Sequence, residues 1–276
     1  MALTVLDLFA GAGLASHGYK LAGHHVVAAV EQDPEIAEFY RLNHPDTEIF
    51  VGSVDTFYYN VEVDCIHASP PCQQYSTARS KDLPPHEGAD AGLMVLKVIE
   101  QVRPKIVTLE NFRGYVTSTV YSQIRSRLWE LGYWLDERIV NAADYGVPQS
   151  RARLLSRLVR GDVLGLLPIE TASQSLFGEK RCELPLCKSP RIDWFSAIVD
   201  LIPDLPVTEF AAWQKKAFNL QGYPGIDSIV PRVGARLRNN ILTTIPRGKP
   251  APTIRALGHD RHWRQFDIYE TSAELT

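Results

Sequence analysis

Residues 3–33 read LTVLDLFAGAGLASHGYKLAGHHVVAAVEQD, and this stretch decides the fold class. The apolar run LTVLDLF is followed by glycines, an amphipathic segment and a second apolar run, HVVAAVE, which ends on the acidic Glu31. This order is typical of a strand, a glycine turn that enters a helix, and a second strand. It predicts the first unit of a parallel sheet. On the helix, we expect Leu14, Tyr19 and Leu21 to face that sheet.

The alternation of short apolar runs with longer amphipathic ones continues to about residue 160. It predicts a helix at Pro34–Asn43, strands at 48–52, 63–69 and 105–111, a helix at about Thr119–Leu131, a strand at Trp134–Val140 and a loop at 141–153. Such a rhythm indicates an α/β, doubly wound, mostly parallel sheet over residues 1–160, with function gathered at the carboxyl ends of its strands. Prolines break up the sequence after about residue 161, which predicts a smaller irregular lobe at 161–249 and a return segment at 250–276.

The composition is that of an ordinary globular protein, since 45% of the 276 residues are hydrophobic and 22% are charged. No apolar stretch approaches the ~18 to 20 residues that span a bilayer, and no secretory signal opens the chain, so we expect a cytoplasmic protein without a membrane partner. Four cysteines at irregular spacing predict neither a disulfide framework nor a metal site. We also expect a monomer, because the pattern leaves no long apolar helix face over.

The net charge of −3 conceals an asymmetry along the chain. Residues 1–150 carry 19 acidic and 11 basic side chains, whereas residues 151–276 carry 13 and 18. Basic residues gather between Arg232 and Arg264, with Asp260 as the one acidic residue in that stretch. This distribution suits contact with a phosphate backbone, although a solvated surface would look the same.

The turn DLFAGAG, which ends at Gly13, lets the backbone approach a ligand, because glycine adopts conformations closed to other residues. Glu31, about 20 residues on at the end of the next strand, suits hydrogen bonds from ribose hydroxyls. Together they predict a cofactor that contains adenosine. Ser16 stands where a Gly-x-Gly-x-x-Gly fingerprint has its third glycine, which disfavours a dinucleotide without excluding it.

Two further segments, SPPCQQYS and LENF, each follow a predicted strand and so belong to the same rim of the sheet. The prolines fix a turn that presents the thiol of Cys72, and Glu110 could hydrogen-bond or protonate a ring nitrogen of a bound base. A buried, inert thiol is the alternative for Cys72. Arg151 and Arg153 in QSRAR would point the same way on an extended segment, where one could orient the base or the acid.

With these segments in this order, the sequence resembles the cytosine-C5 DNA methyltransferase family, which shares DLFAGAG, VEQD, SPPCQQYS, ENF and QSRAR over about residues 3–160 and PAPTIRA at 250–256. The resemblance implies a Rossmann-like fold, S-adenosylmethionine as the methyl donor and C5 of a cytosine in double-stranded DNA as the acceptor. In that chemistry the cysteine adds to C6, the acid contacts N3, and the base is flipped out of the duplex. A cognate restriction endonuclease is one partner that it implies, although phage and regulatory roles would look alike.

Carried over residue by residue, the resemblance implies three catalytic residues: Cys72 as nucleophile, Glu110 as its electrophilic partner and Arg153 as support for the base and the acid. It implies cofactor contacts by Phe9, Gly11, Gly13, Leu14, Glu31, Gln32, Ser53, Val54 and Pro71. It implies substrate contacts by Gln73, Ser76, Asn111, Gln149, Arg151, Arg247 and Thr253. The polar segment Thr77–Gly92 is expected to be the loop that closes over the site.

The sequence departs from the family at three places. GSVD offers a shifted Asp55 where the family has Gly-Asp, Arg157 stands in a strand that the family keeps apolar, and no Gly-Asn-Ser-Val type helix follows PAPTIRA. A fragment of a longer protein, a trimmed homologue that binds DNA without turnover, and an element of another kind in that place therefore stay open. So do the same chemistry on tRNA or a nucleotide and, more remotely, a dinucleotide oxidoreductase.

Overall fold

The computed structural model describes residues 2–58, 62–71, 91–176, 179–193, 196–197, 200 and, as backbone alone, 251–252. Contacts between residues divide the chain into two compact units. The first joins Met1–Val140 to Ala152–Leu186, and the second joins Asn141–Arg151 to the residues from Cys187 onward. The predicted domain limits at residues 160 and 249 stay predictions.

Among the described residues, nine strands of the first unit form one sheet in the order β3-β2-β1-β4-β5-β8-β6-β10-β9. The strands are β1 (Thr4–Leu8), β2 (His25–Glu31), β3 (Glu48–Val51), β4 (Cys65–Ala68), β5 (Ile106–Phe112), β6 (Tyr133–Asn141), β8 (Ala152–Arg160), β9 (Thr171–Gln174) and β10 (Lys180–Glu183). The pairs β1–β2, β2–β3, β1–β4 and β4–β5 are parallel, whereas β5–β8 is antiparallel. The predicted mostly parallel α/β fold is therefore confirmed.

Strand order reverses at β1, which lies between β2 on one side and β4 on the other. In open α/β sheets such a switch point leaves a crevice outside the carboxyl ends of the strands, and ligands bind there. Here β1 runs into the glycine turn at 9–13, and β4 runs into the segment 69–72, named the SPPC turn after its sequence prediction, of which residues 69–71 are described. Because β1 and β4 are parallel, both turns leave the same edge of the sheet.

Four helices accompany these strands in the part of the chain that the structure describes: α1 (Leu14–Leu21), α2 (Pro34–Asn43), α3 (Ala91–Val102) and α4 (Thr119–Glu130). The limits of α2 follow from its sequence, because the carboxylate of Asp33 caps it by accepting from the amides of Glu35 and Ile36, at 2.8 and 3.2 Å. Up to residue 140, the predicted limits of the strands and helices agree with the observed limits within two residues at each end, except that α3 was not predicted. None of these helices is long and apolar enough to cross a membrane.

The prediction that Leu14 and Leu21 face the sheet is wrong. Their exposed fractions are 85% and 76%, and it is the fully buried Ser16 that faces inward from α1, with Tyr19 half-buried beside it. Residues two apart on a helix lie on nearly opposite sides, so Leu14 and Leu21 cannot face inward together with Ser16 and Tyr19. Hydrogen bonds of Ser16 with Asp7 and Tyr40 fix this choice of face.

The helix α3 was not predicted, and it corrects the expected closing loop at Thr77–Gly92. Gly92 is buried in the first turn of α3, where an added Cβ would lie 2.5 Å from the Tyr115 hydroxyl. Residues 77–90 lie outside the described ranges. The apolar side of α3 packs into the main core, whose fully buried members include Leu6, Leu8, Ile66, Val95, Ile99, Val107, Ile124 and Leu128.

Two unpredicted strands, β9 and β10, extend the sheet beyond residue 161, where the sequence had indicated irregular structure. They pair antiparallel with each other, and β10 pairs in parallel with β6. Arg157 of β8 bonds Asp136 of β6 and also donates to the carbonyl oxygens of Leu184 and Pro185, at 2.8 and 3.0 Å. The arginine that stands among apolar strand residues thus holds the chain beyond β10 against the sheet.

The second unit includes most of the predicted loop at 141–153, with a 3-10 turn at Ala142–Tyr145 and the short strand β7 (Gln149–Ser150). The last two residues of the predicted loop begin β8 of the first unit. The strand β7 pairs in parallel with β11 (Ala251–Pro252). Asp144 accepts from Arg191 at 2.8 Å, and its carbonyl oxygen accepts from the amide of Ser189 at 2.9 Å. These contacts give the unit a local framework.

Candidate active site

The turn after β1 enters the left-handed region of backbone conformation at three positions. The φ angles are 58° at Phe9, 56° at Gly11 and 89° at Gly13. Glycine adopts such angles freely, whereas a phenylalanine there costs of order 1–3 kcal/mol. Strain of this kind clusters at ligand-binding positions, which agrees with the cofactor contacts expected of these three residues.

The end of α2 holds this turn in place through two side chains that sequence reasoning missed. Asn43 Nδ2 donates to the carbonyl oxygen of Ala12 at 2.9 Å, and His44 Nε2 donates to that of Gly13 at 2.8 Å. A Cβ on Gly13 would lie 2.3 Å from the His44 ring. Gly13 is therefore required by close packing as well as by its φ angle.

Glu31 ends β2 beside the same turn. Its carboxylate accepts from the amide of Gly11 at 2.8 Å and from that of Asp33 at 2.9 Å. Because a carboxylate can accept about four hydrogen bonds, roughly two remain for other donors such as ribose hydroxyls. The space where Gly11 would carry a Cβ is open to at least 4 Å. An open glycine turn beside a carboxylate with acceptors to spare fits an adenosine-containing cofactor.

Beneath the turn lies a buried polar cluster around Asp7 of β1. Ser16 donates to Asp7 Oδ2 at 2.6 Å and lies 2.7 Å from the Tyr40 hydroxyl. Burial raises the pKa of Asp7, against the opposing effects of His67, Ser16 and His44, and burial also raises the pKa of Tyr40 to about 12. These hydrogen bonds explain why α1 turns Ser16 and not its leucines toward the sheet.

The other expected cofactor residues lie around the same edge with different exposure. Gln32 and Leu14 are exposed, and Ser53 is half-buried where β3 leads into a short 3-10 turn. The amide of Gly52 donates to the carbonyl oxygen of Glu31 at 2.9 Å, which joins the ends of β3 and β2. Val54 is buried in the core, so its backbone is the part that can meet a ligand.

At the end of β4, the SPPC turn is fixed from the neighbouring strand. Asn111 Nδ2 donates to the carbonyl oxygen of Pro70 at 3.0 Å, and its Oδ1 accepts from the amide of Phe112 at 2.9 Å. Asn111 is only 5% exposed, so its amide is committed to the backbone, and its expected substrate contact stays a prediction. Pro71 is exposed. Cys72, Gln73 and Ser76 lie outside the described residues.

Glu110 and Arg153, 43 positions apart in the sequence, are joined in an ion pair. Arg153 Nε lies 3.0 Å from Glu110 Oε1, and the two side chains are 22% and 32% exposed. In the antiparallel pair β5–β8, Glu110 lies opposite Leu155 and Arg153 opposite Phe112, so Glu110 and Arg153 are diagonal neighbours on one face. A carboxylate and a guanidinium thus stand together at the carboxyl end of β5, on the edge where the SPPC turn begins.

The remaining expected substrate residues belong to the second unit or fall outside the described ranges. Gln149 lies in β7 opposite Ala251, and the amide of Arg151 donates to Asn141 Oδ1 at 3.0 Å. Arg247 and Thr253 are not among the described residues, and neither is the basic stretch at 232–264 apart from the backbone of 251–252. Their predicted roles stay predictions.

A glycine turn after β1, an acid at the end of β2 and a strand order that reverses at β1 are the features of a Rossmann-like domain. Residues 3–193 match the model of the C-5 cytosine-specific DNA methylase family. This chain belongs to that family.

Curated relatives and solved structures agree with this assignment. The chain is 31% identical over 166 residues to the type II methyltransferase M.DdeI of Desulfomicrobium norvegicum, and this alignment covers 55% of this chain and 39% of M.DdeI. It is 31% identical over 176 residues to the type II methyltransferase M.AquIA of Picosynechococcus, and this alignment covers 54% of this chain and 69% of M.AquIA. The first three relatives are thus matched over 39% to 69% of their own lengths.

Among solved structures, a prophage-encoded E. coli protein described as a DNA modification methyltransferase superposes with a TM-score of 0.52 at 27% identity, covering 61% of this chain and 49% of that one. A DNMT2 triple mutant from Spodoptera frugiperda superposes with a TM-score of 0.56 at 22% identity, covering 70% and 58%. At that identity, the second likeness speaks for the fold alone.

Proposed function

We propose that this chain transfers a methyl group from S-adenosylmethionine to C5 of a cytosine in double-stranded DNA. The observation that carries the proposal is the ion pair of Glu110 with Arg153 at the edge where β4 enters the SPPC turn. Family membership and the open glycine turn beside Glu31 support it independently.

In this mechanism the thiolate of Cys72 forms a bond to C6 of the target cytosine. The protonated carboxyl group of Glu110 donates a hydrogen bond or a proton to N3, which withdraws electrons from C6 and lets charge pass through the ring to C5. C5 then takes the methyl group, S-adenosylhomocysteine is released, and a base takes up the C5 proton as the bond from Cys72 to C6 breaks, which restores the aromatic ring. Because C6 of a stacked cytosine is out of reach, the base is flipped out of the duplex first.

Arg153 would hold Glu110 in one orientation, since its Nε lies 3.0 Å from one carboxylate oxygen. A positioned acid contributes typically ~10²- to 10⁴-fold to a rate. The Pro-Pro backbone and the bond from Asn111 to the Pro70 carbonyl would hold the SPPC turn and so limit the positions open to Cys72.

Bound S-adenosylmethionine would supply the activated methyl group. Glu31 would accept hydrogen bonds from its ribose hydroxyls, and Phe9, Gly11 and Gly13 would form the backbone that faces it. Gln32, Leu14, Ser53, Val54 and Pro71 complete the proposed cofactor contacts. The lobe at 161–249 would contact the DNA.

The test is transfer of labelled methyl from S-adenosylmethionine to mixed-sequence duplex DNA by the 276-residue chain, beside Cys72→Ala. Cys187→Ala is the matched control, because Cys187 is an exposed cysteine of the second unit. We expect label in 5-methylcytosine from the wild type and the control alone. Transfer by Cys72→Ala would remove the thiol from the mechanism. Absence of transfer by the folded wild type would overturn the proposed activity.

A further inference from the structure

His67, a buried histidine that the mechanism above does not use, lies in β4 two residues before the SPPC turn. It is 6% exposed and stands in register between Asp7 of β1 and Thr108 of β5. Its Nδ1 lies 2.9 Å from Thr108 Oγ1, and its Nε2 lies 2.9 Å from Ser69 Oγ. Both ring nitrogens are therefore in hydrogen bonds, and one of them reaches the first residue of the turn.

The network continues in the opposite direction to α1. The Tyr19 hydroxyl lies 2.6 Å from Thr108 Oγ1, and the Tyr19 ring meets the His67 ring edge-on with centroids 5.6 Å apart. A continuous line of side chains, Tyr19–Thr108–His67–Ser69, thus runs from α1 across two strands into the catalytic turn. Burying polar groups is unfavourable unless they are bonded, but a satisfied network is rigid and specifies one arrangement.

We propose that His67 is a positioning residue, which fixes Ser69 and through it the SPPC turn that carries Cys72; this inference rests on the proposed function. Two successive turn residues are then held by neighbouring side chains, Ser69 by His67 and Pro70 by Asn111. An apolar residue at position 67 would fill the same space in the core, so the hydrogen bond to Ser69 is the feature that a hydrophobic core does not need.

The variants separate this role from simple packing. His67→Leu removes both hydrogen bonds, whereas His67→Gln keeps an amide that reaches the place of Nε2. Ile66→Val is the matched control, because Ile66 is the fully buried neighbour of His67 in β4 and packs in the main core on the opposite face of the strand. Thermal unfolding and the dissociation constant for S-adenosylmethionine are measured for each, so that loss of folding or of cofactor binding is recognised.

Two rates report on the turn. The single-turnover rate of methyl transfer is expected to fall about 10- to 100-fold in His67→Leu, the scale of a misplacement of about 1 Å, with cofactor binding nearly unchanged. His67→Gln should recover most of it. The alkylation rate of Cys72, followed by mass mapping, needs no turnover. It should change by the same factor in His67→Leu, in Ser69→Ala and in the double variant, because all three break one connection.

The outcomes distinguish the two proposals. Equal effects in the single and double variants, with wild-type rates in Ile66→Val, support the positioning role. Additive effects, or wild-type rates in a folded His67→Leu, overturn it. If the wild type transfers no methyl group but the alkylation rates show the coupling, the proposed function fails and the connection from His67 to the turn stands.

Discussion

Glu110 is the residue whose carboxyl group the proposed chemistry needs most directly. We predict that Glu110→Gln lowers the single-turnover rate about 100-fold or more, because an amide keeps the size of the side chain but cannot deliver a proton to N3. Binding of cofactor and DNA should change by less than about threefold. Rapid-quench measurement of 5-methylcytosine formation checks this.

Glu137→Gln is the matched control for that experiment, since Glu137 of β6 also pairs with arginines, at 3.6 Å from Arg125 and 3.7 Å from Arg181. It lies two strands along the sheet from Glu110. We expect reduced stability and an unchanged rate. A similar loss of rate in both variants would mean that Glu110 acts through the fold and not on the base.

Asp7 offers a test of the buried cluster under the glycine turn. Its pKa is raised by burial, so its contribution to stability is complete at pH values below the ordinary 3.8 and is lost as the pH rises through the folded-state pKa. We therefore predict that Asp7→Asn raises the free energy of unfolding at pH 7 and that the gain disappears toward acid pH. Urea unfolding at a series of pH values measures this.

Asp64→Asn should do the reverse. The Lys105 ammonium at 2.6 Å and the bonds from Thr4 lower the pKa of Asp64, so its contribution is present above the ordinary pKa and is lost as the pH falls. The substitution is expected to destabilise at pH 7 and to be neutral in acid. If Asp7→Asn also destabilised at pH 7, the Asp7 carboxylate would be stabilising in its charged form.

At the scale of elements, the end of α2 is expected to control cofactor affinity through the turn that it holds. Asn43→Ala removes one hydrogen bond to the Ala12 carbonyl, worth about 1 kcal/mol, so the dissociation constant for S-adenosylmethionine should rise about fivefold. Calorimetric titration measures it. Glu38→Ala on the same helix breaks only an exposed pair with Arg41 and should leave affinity unchanged. Equal affinity in both variants would contradict a role for this contact.

The elements that the sequence predicted well are those whose signals are local. The helix at Pro34–Asn43 begins with its own cap at Asp33, and strand β2 is an unbroken apolar run. The inward face of α1 was predicted wrongly because hydrophobicity favoured Leu14 and Leu21, whereas hydrogen bonds to Asp7 and Tyr40 decided for Ser16. Hydrogen bonds that join β1, α1 and α2 leave no hydrophobic pattern in the sequence of any one of these elements.

The candidate site divides in the same way. Its glycines follow β1, and Glu31 and Glu110 lie near the carboxyl ends of β2 and β5. A sequence reveals such positions, because the carboxyl ends of parallel strands meet at one edge of the sheet. The contacts of Asn43 and His44 with the glycine turn join residues 31 positions apart and depend on how α2 packs. The sequence offered no reason for Arg157 in an apolar strand. The structure supplies one, because Arg157 donates to the carbonyl oxygens of Leu184 and Pro185, which are 27 and 28 positions away.

At the scale of the whole molecule, binding to DNA should be governed by the basic second part of the chain and not by the net charge of −3. Each phosphate neutralised by a lysine or arginine releases counterions and adds about −0.9 to the slope of log affinity against log salt concentration. We predict a steep salt dependence for a protein that is acidic overall. Fluorescence anisotropy with duplex DNA between about 50 and 200 mM salt measures the slope.

Replacing Arg232, Arg236 and Arg238 together by Gln should make that slope less negative by up to about 3 units, because each lost arginine–phosphate contact lowers the number of counterions released on binding. The control replaces Arg127 by Gln, since Arg127 of α4 is exposed but engaged by Glu100 and Glu130, at 2.6 and 2.8 Å. Its slope should equal that of the wild type. An unchanged slope in the triple variant would mean that this basic stretch is a solvated surface, and that phosphate contacts must be sought on other parts of the molecule.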